Sequence, residues 1–588
     1  MKKIGLLVAL ASLTGWVQAQ DTFIETPDHL LPYAEKWQGT KTIRASWGSS
    51  DVRYAWHALP DAQSLHHQET LTAWRGERVS AQAIIYGAAA TDSLSPLTLH
   101  LSAFSNGRYT LPAHTVQASF VRYVKTDAWS TPDGRGAGCG HRLDHTIYDS
   151  AMVADMIDPH AQALPLDAMS ARSVWVSCQV PTDAVEGTYK GYLNIKAGKR
   201  TVVKLPLVIK VSPRILPAPK EWAFHLDLWQ NPFAEARYYG TPLWSDAHLA
   251  AMRPSMEMLA AAGQKVITTS IMHKPWNGQT EDHFDSMVAW IKKLDGTWEF
   301  DFSVFDRWVE FMMSCGIDSQ INCYTMIPWS LSFPYYDVAT NRIQTFRTAP
   351  GEVAYEEIWV AMLKAFSQHL REKNWFAITA IAMDERPMRA MQHAIQVIRK
   401  ADPEFKVALA GNYHPEIESD LYDYCIALEQ GDLLPQEVLA RRKAEGKKTT
   451  VYTCCSTHKP NTFTFSDPCE ASWYGYYVAQ SGYDGYLRWA YNSWTSHPLH
   501  DTRFRSWPAG DTYMVYPYGC SSVRFEKLIE GIQACEKIRI LREEIAATGD
   551  TVRAAQLDEL IQLFDLNSMH TDNYPSLIRE GRNRLNAL

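Results

Sequence analysis

The sequence of 588 residues lacks the features that mark several large classes of protein. Beyond its first 20 residues it has no apolar run of about 18 residues, the length that a helix needs to cross a bilayer. Basic residues do not exceed acidic ones, since 57 Lys and Arg stand against 65 Asp and Glu, and the net charge is −8. A protein that follows a phosphate backbone usually carries a basic surplus. The sequence therefore predicts neither a membrane span nor a nucleic-acid partner.

Cysteine is sparse as well, with ten residues in the whole chain, and no two of them form a C-x-x-C pair. Structural zinc sites usually contain such pairs, so none is predicted. We expect most cysteines to be buried free thiols and leave one or two disulfides open. His141 and His145, with Asp155 and Asp158 nearby, come nearest to a metal site, but they do not supply a complete ligand set. A polar loop is the better interpretation, and no metal or cofactor is predicted.

The first 19 residues have the pattern of a secretory signal peptide. Lys2 and Lys3 precede an apolar segment at residues 4–13, and small residues at 17–19 end in Ala19, where cleavage is predicted. No cysteine follows this position, so a lipid anchor is not indicated. We therefore expect an exported protein, either periplasmic or secreted.

Aromatic residues are abundant, because they make up 12% of the chain and include 21 Trp and 28 Tyr. Flat apolar side chains of this kind can stack against the faces of sugar rings. The remaining composition, with 46% hydrophobic and 21% charged residues, is typical of a soluble globular protein and excludes a disordered or fibrous one. The composition favours a globular protein that binds carbohydrate.

The hydrophobic pattern divides the chain into two main domains. Residues 20–213 contain short alternating strands separated by turns, which is typical of an antiparallel β-sandwich. Residues 214–545 alternate strands with amphipathic helices, and eight such units predict a (β/α)8 TIM barrel. The barrel strands are predicted at residues 222–229, 265–272, 320–327, 377–383, 406–410, 425–428, 449–454 and 485–490. Residues 546–588 are predicted to form a C-terminal helical segment.

Polar and aromatic side chains follow nearly every predicted barrel strand. In a TIM barrel the carboxyl ends of the strands surround the active site, so these residues should line one pocket. The candidate substrate-binding residues are His273, Trp276, Tyr324, Asn412, Tyr452, Trp489, Tyr491 and Trp494. Any one of the tryptophans could equally be packing at the barrel rim, since Trp is highly buried on average.

The strongest signal lies after the fourth barrel strand, where an apolar run ends in Asp384 and Glu385, followed by Pro387. Acidic residues and proline are also favoured in the first turn of a helix, which is the simpler interpretation. The functional interpretation is a carboxylate pair for glycoside hydrolysis. Neighbouring Cα atoms are about 3.8 Å apart, so the two side chains are poorly placed to act on opposite faces of a sugar as acid and nucleophile.

Adjacent carboxylates suit a substrate-assisted reaction instead. The 2-acetamido oxygen of the sugar would attack the anomeric carbon, so the protein would not need to supply a nucleophile. One carboxylate would hold the acetamido N–H, and its neighbour would protonate the leaving oxygen.

At this point the sequence resembles glycoside hydrolase family 123. The resemblance lies in six segments, at residues 225–230, 267–280, 321–329, 383–387, 487–495 and 503–511. It implies an exo-acting, retaining β-N-acetylgalactosaminidase with glycosphingolipid oligosaccharides as the substrate class. It also implies that Asp384 orients and stabilises the acetamido group and that Glu385 is the general acid/base.

Two alternatives stay open. The first is a glycosidase of another specificity that uses a separate nucleophile, such as Glu429 or Asp227. The second is a non-catalytic, exported glycan-binding protein, although such a protein gains nothing from placing two like charges side by side. The sequence does not predict the oligomeric state.

Overall fold

Two β-sheets packed face to face form the N-terminal part of the chain. The computed structural model describes residues 25–588 except residues 27, 29–31, 33, 41, 92–94, 128–149, 506 and 572. The predicted signal peptide and the pair His141 and His145 lie outside the described residues. The strands of this part are β1 (Arg44–Gly48), β2 (Glu69–Arg75), β3 (Arg78–Gly87), β4 (Leu97–Leu101), β5 (Val116–Asp127), β6 (Ser150–Asp158), β7 (Ser170–Gln179), β8 (Gly187–Ala197) and β9 (Arg200–Ile215).

One sheet has the strand order β1-β3-β7-β5-β6, and the other has the order β2-β9-β8-β4. Neighbouring strands are antiparallel except β2 and β9, which are parallel. Strand β8 shows why the sheets pack, because every second residue from Tyr189 to Ile195 is buried while the alternate residues face outward. The predicted β-sandwich is confirmed.

The rest of the chain alternates strands and helices. The strands are β10 (His225–Leu228), β11 (Val266–Ser270), β12 (Ala289–Lys292), β13 (Trp298–Asp301), β14 (Gln320–Tyr324), β15 (Ser332–Asp337), β16 (Arg342–Arg347), β17 (Thr379–Met383), β18 (Lys406–Gly411), β19 (Asp423–Ala427), β20 (Lys448–Tyr452), β21 (Gly485–Arg488) and β22 (Ser521–Ser522). The helices are α1 (Pro232–Tyr239), α2 (Asp246–Ala260), α3 (Ser303–Ser314), α4 (Val353–Glu372), α5 (Met388–Ala401), α6 (Gln436–Ala444), α7 (Pro468–Ser481), α8 (Val523–Thr548), α9 (Thr551–Gln562) and α10 (Tyr574–Ala587).

Eight of these strands form a parallel barrel in the order β11-β14-β17-β18-β19-β20-β21-β10. The two ends of this sheet meet where the Lys265 N–H donates to the Leu226 carbonyl at 3.0 Å, which nearly closes the barrel. Most barrel strands are buried along their whole length, as parallel strands covered on both faces must be. Each predicted barrel strand coincides with an observed one, so the predicted barrel is confirmed.

Two insertions form a further four-stranded sheet with the order β13-β12-β15-β16. One insertion lies between β11 and α3, and the other lies between β14 and α4. The inner face of this sheet packs on α4, where the rings of Trp290 and Trp359 lie 5.0 Å apart and Phe333 contacts the same tryptophan. This inserted sheet was not predicted. Its strands have only four to six residues and are half-exposed, so they lack the continuous apolar run that identifies a barrel strand.

The C-terminal helices join the barrel to the sandwich. Helix α8 spans the predicted domain boundary at residue 546, and the short strand β22 just before it pairs with β6 of the sandwich. Helices α7 and α8 cross at Gly475 and Gly531, where a Cβ on Gly475 would lie 1.7 Å from the Gly531 carbonyl oxygen. Among the described helices, none combines the length and the apolar character that crossing a membrane requires.

Buried ion pairs hold the interface between the sandwich and the C-terminal helices. The Lys527 ammonium lies 2.7 Å from the Asp51 carboxylate of the sandwich, and the Arg582 guanidinium of α10 contacts the same carboxylate at 2.6 Å. The Arg524 guanidinium of α8 lies 3.0 Å from the Asp155 carboxylate of β6. Asp155, which the sequence places near the possible metal site, thus forms an ion pair with this arginine. The two cations lower the pKa of Asp51 to about 2 against the opposing effect of burial.

Asp51→Asn tests this interface. Because the folded pKa lies below the usual value near 3.8, the charge of Asp51 stabilises the fold at neutral pH, and this stabilisation is lost as pH falls from about 4 toward 2. We expect the variant to lose about 2–3 kcal/mol of unfolding free energy at neutral pH and the difference from wild type to shrink on acidification. Urea unfolding at several pH values measures it. The fully exposed Asp246, paired with Arg307, is the matched control, and Asp246→Asn should change stability little.

Candidate active site

A cavity of about 590 Å³ opens at the carboxyl ends of the barrel strands. It is lined by Trp229, Trp276, Gln279, Trp329, Asp384, Glu385, Ala410, Asn412, Ala427, Glu429, Gln430, Tyr452, Cys454, Cys455, Ser456, Leu487, Trp489 and Trp507. The structure thus brings six of the ten predicted site residues together, namely both carboxylates with Trp276, Asn412, Tyr452 and Trp489.

The carboxylate pair sits where the chain leaves the barrel. Strand β17 ends at Met383, and α5 begins at Met388 after Pro387. No described side chain caps the start of this helix, so a capping role does not explain Asp384 and Glu385. The two neighbours differ in environment, since Asp384 is only 7% exposed while Glu385 is open to the cavity.

Only one of the two carboxylate oxygens of Asp384 accepts a hydrogen bond from the described part of the chain. The indole N–H of Trp329 donates to Oδ2 of Asp384 at 2.6 Å. The other oxygen, Oδ1, is buried and has no hydrogen-bond partner among the described residues. Burial raises the pKa of Asp384 to about 6, against the opposing effects of the Trp329 hydrogen bond and the nearby Arg386 guanidinium. The carboxylate of Asp384 therefore keeps one oxygen whose hydrogen-bonding capacity no described group satisfies.

Glu385 is held by Tyr452, whose hydroxyl donates to Oε1. Burial and the neighbouring Glu385 charge raise the pKa of this tyrosine well above its usual value, so it remains a donor. Glu385 therefore has a fixed position and direct access to the cavity, which are the two requirements for transferring a proton to a ligand.

Aromatic rings form two walls of the cavity. Trp229 and Trp276 are stacked, with ring centroids 4.8 Å apart, and Tyr324 packs against Trp229 at 4.5 Å. On another side, the rings of Trp489 and Trp507 lie 5.7 Å apart. Both pairs offer flat apolar surfaces of the kind that sugar rings and small apolar groups pack against.

The polar wall comes from β18, β19 and the loop after β20. The Gln430 side-chain N–H donates to Asn412 Oδ1 at 2.9 Å, and the Tyr413 backbone N–H donates to Gln430 Oε1. Thr457 donates to Glu429 Oε1. The first two bonds fix the orientation of the Asn412 and Gln430 side-chain amides. This wall therefore presents hydrogen-bond donors and acceptors at fixed positions.

Four predicted substrate-binding residues do not line the cavity. His273 lies 2.8 Å from Asp285 through Nδ1, and Tyr324 is buried behind the tryptophan pair. The Tyr491 hydroxyl donates to the Ser255 carbonyl, and the Trp494 indole donates to the Val515 carbonyl, each at 2.8 Å and fully buried. Strand β21 ends at Arg488, two residues earlier than predicted, and the chain beyond Trp489 turns into the core.

Other lining residues were not predicted, chiefly Trp229, Gln279 and Trp507. Trp507 lies in a loop, 19 residues beyond the end of β21. Its indole N–H donates to the Gln279 carbonyl at 2.7 Å. Its only sequence signal was its position within the segment 503–511 that resembles the family. Of the two alternative nucleophiles, Glu429 lines the cavity, whereas Asp227 is buried within the barrel and does not.

The described cysteines are mostly free thiols, as the sequence analysis expects, and six of these thiols are buried. Cys455 is disulfide-bonded, and eight other cysteines, including the neighbouring Cys454, are free thiols. No described group of three or more His, Cys, Asp or Glu residues is arranged to hold a metal ion.

A parallel barrel with two carboxylates at the carboxyl ends of its strands is an arrangement found in barrel glycosidases. The family models agree, because glycoside hydrolase 123, catalytic domain, matches residues 229–541, and the glycoside hydrolase 123 N-terminal domain matches residues 47–197. The chain belongs to glycoside hydrolase family 123. No curated protein matches the sequence.

A solved structure of similar fold is a family 123 glycoside hydrolase from Clostridium perfringens, studied for glycolipid glycan hydrolysis. It is 24% identical, with a TM-score of 0.81, and the match covers 93% of this chain and 97% of that one. A putative glycoside hydrolase from Bacteroides vulgatus is 10% identical, covering 81% and 79% of the two chains, but its TM-score is only 0.31. The sandwich and barrel are thus shared by the whole length of a family member.

Asp384→Asn tests the burial of this carboxylate. Because its folded pKa of about 6 lies above the usual 3.8, ionising it costs wild type stability as pH rises from about 4 through 6. The neutral amide avoids this cost, so we expect the variant to be more stable by up to about 3 kcal/mol near pH 8. Chemical unfolding should show the full gain at pH 8, about half of it at pH 5 and almost none at pH 3. Glu385→Gln, at the exposed neighbour, is the control and should leave stability nearly unchanged.

Proposed function

We propose that this chain is a retaining exo-β-N-acetylgalactosaminidase that uses the 2-acetamido group of its substrate as the nucleophile. The observation that carries the proposal is the buried, unpartnered Oδ1 of Asp384, whose second oxygen is fixed by Trp329. A buried acceptor without a partner is costly, so the site favours a ligand that brings a donor to it. The N–H of an acetamido group is such a donor.

The reaction proceeds in two steps. The acetamido carbonyl oxygen attacks the anomeric carbon, while the bond to the leaving oxygen breaks and that oxygen takes a proton from Glu385. This gives an oxazolinium ion, whose positive charge lies beside the Asp384 carboxylate. Glu385 then removes a proton from water, the water oxygen attacks the anomeric carbon, and the acetamido group is released. Two inversions at that carbon leave its configuration retained.

The environments of the two carboxylates support this division of roles. Asp384 is buried and held on one side, which suits a group that stays in place and supplies charge. Glu385 is open to the cavity and positioned by Tyr452, which suits a group that exchanges protons with the leaving group and with water. The stacked Trp229 and Trp276 supply an apolar surface for the acetamido methyl group.

Two further parts of the proposal concern the substrate and the location. The family resemblance supports terminal β-linked N-acetylgalactosamine, and the glycolipid glycans of the Clostridium perfringens enzyme support glycosphingolipid oligosaccharides as the source. The polar wall around Asn412 and Gln430 supplies hydrogen-bonding groups for the sugar hydroxyls. The signal-peptide pattern supports export to the periplasm or beyond.

The leaving group separates the roles of the two carboxylates. Glu385→Gln should lower kcat/KM on natural oligosaccharides by about 10²–10⁴-fold but affect nitrophenyl β-N-acetylgalactosaminide far less, because nitrophenolate leaves without protonation. Asp384→Asn should lower kcat/KM similarly on both substrates, because its charge is needed whatever the leaving group.

Glu429→Gln is the matched control for these variants, since Glu429 lines the same cavity. A loss of all turnover in this variant alone, with Asp384→Asn still active, would instead identify Glu429 as a separate nucleophile. Equal cleavage of the nitrophenyl galactoside, which has a 2-hydroxyl group, would also contradict assistance by the substrate.

Trp329→Phe should move the pH dependence of the reaction. The Trp329 hydrogen bond lowers the pKa of Asp384, so its removal should raise that pKa above about 6. Asp384 must be ionised to act, so the acidic limb of kcat/KM should shift upward by about one pH unit. The pH profile on the nitrophenyl substrate measures this, with Trp489→Phe as the control, because Trp489 lines the cavity without bonding to Asp384. A uniform loss of activity with no shift would show that Trp329 only packs.

A further inference from the structure

The inserted sheet carries an exposed apolar patch formed by Ile291, Leu294, Tyr336, Val338 and Ile343. Leu294 is 78% exposed and Ile343 is 69% exposed, while Tyr336 and Val338 are more than a third exposed. Apolar side chains exposed singly are normal on a protein surface, but a contiguous group usually marks an interaction site.

The strand register makes these residues contiguous. Tyr336 of β15 is paired with Ile291 of β12 on one side and with Ile343 of β16 on the other, so all three point to the same face. The opposite face carries the aromatic residues that pack on α4. The Val338 backbone N–H donates to the Lys292 carbonyl at 3.0 Å, so the two turns that carry Leu294 and Val338 leave the same end of the sheet.

This sheet is attached to the catalytic end of the barrel. Its strands lie in the segments that follow β11 and β14, at the carboxyl ends of barrel strands. Strand β15 begins at Ser332, three residues after Trp329, which holds Asp384 in the cavity. The sheet that carries the patch is therefore attached to the end of the barrel that contains the cavity.

Charge and size indicate the kind of partner. The segments 289–301 and 332–347 carry four basic and four acidic residues, so the sheet has no net charge although the chain has −8. An anionic surface or a strongly charged protein would find no complementary charge here. Stable protein interfaces use about 20–30 residues a side around an apolar core, and a core of five residues at the edge of a small sheet is small for that size. A neutral lipid surface sets no such minimum, because binding there scales with the apolar area that enters the boundary region.

We propose that this patch docks on the surface of a lipid bilayer by inserting Leu294 and Ile343 into its polar–apolar boundary. Docking would bring the cavity to glycans that stand on lipid headgroups. That consequence rests on the proposed function, whereas binding to lipid itself does not.

Flotation with phosphatidylcholine vesicles, which carry no glycan, tests the binding. The wild-type chain should float with the vesicles, and the double variant Leu294→Ser/Ile343→Ser should lose about tenfold or more of its partitioning. Val552→Ser is the matched control, since Val552 is 67% exposed on α9 and should be neutral when replaced. Because the sheet is neutral, binding should not increase with added phosphatidylserine or fall in high salt. Absence of wild-type flotation, or equal flotation of the double variant, would overturn the proposal.

Hydrolysis separates this proposal from the proposed function. On a free oligosaccharide the double variant should match wild type, because it leaves the cavity intact. On the same glycan carried by lipid in vesicles, its rate should fall by about the loss in partitioning. If the free oligosaccharide is not cleaved by wild type, the proposed function fails while the flotation result still stands. If cleavage in vesicles is equal for both proteins, docking by this patch is refuted.

Discussion

The hydrogen bond from Trp329 to Asp384 is the contact on which the rest of the site depends. It fixes a carboxylate whose pKa burial raises, it opposes that rise, and it leaves the second oxygen without a partner among the described residues. The ionised Asp384 carboxylate destabilises the unliganded protein because it is buried. It stabilises a bound species only when a positive charge develops beside it. The reaction proposed for this chain produces that charge on the nitrogen of the substrate.

The barrel fixes the positions of Trp329 and Asp384 relative to each other. Trp329 follows β14, and Asp384 follows the adjacent strand β17, so the barrel sets their separation through backbone hydrogen bonds. The sandwich and the C-terminal helices are joined through buried charges, including Lys527 with Asp51, and β22 extends the sandwich sheet. The sandwich and the helices that follow the barrel are therefore joined into one connected body.

Much of the fold could be predicted from the sequence, because barrel strands buried on both faces are continuous apolar runs bounded by turns. The pair Asp384 and Glu385 was recognisable for the same reason, since it interrupts such a run abruptly. The partners of that pair were harder to identify. Trp329 is 55 residues away from Asp384, and nothing in local spacing indicates which tryptophan reaches the carboxylate. Tyr491 and Trp494 failed as site residues because periodicity does not show where a strand ends, and beyond that end side chains no longer alternate between the two faces of the sheet.

Inhibition by a thiazoline analogue of the N-acetylgalactosamine oxazoline tests the central claim most directly. It resembles the intermediate, so we predict competitive inhibition with an inhibition constant at least about a hundredfold below that of free N-acetylgalactosamine. This advantage should largely disappear in Asp384→Asn, which lacks the charge that faces the ring nitrogen. Inhibition no tighter than that of the free sugar, or equal inhibition of wild type and Asp384→Asn, would contradict substrate assistance at this site.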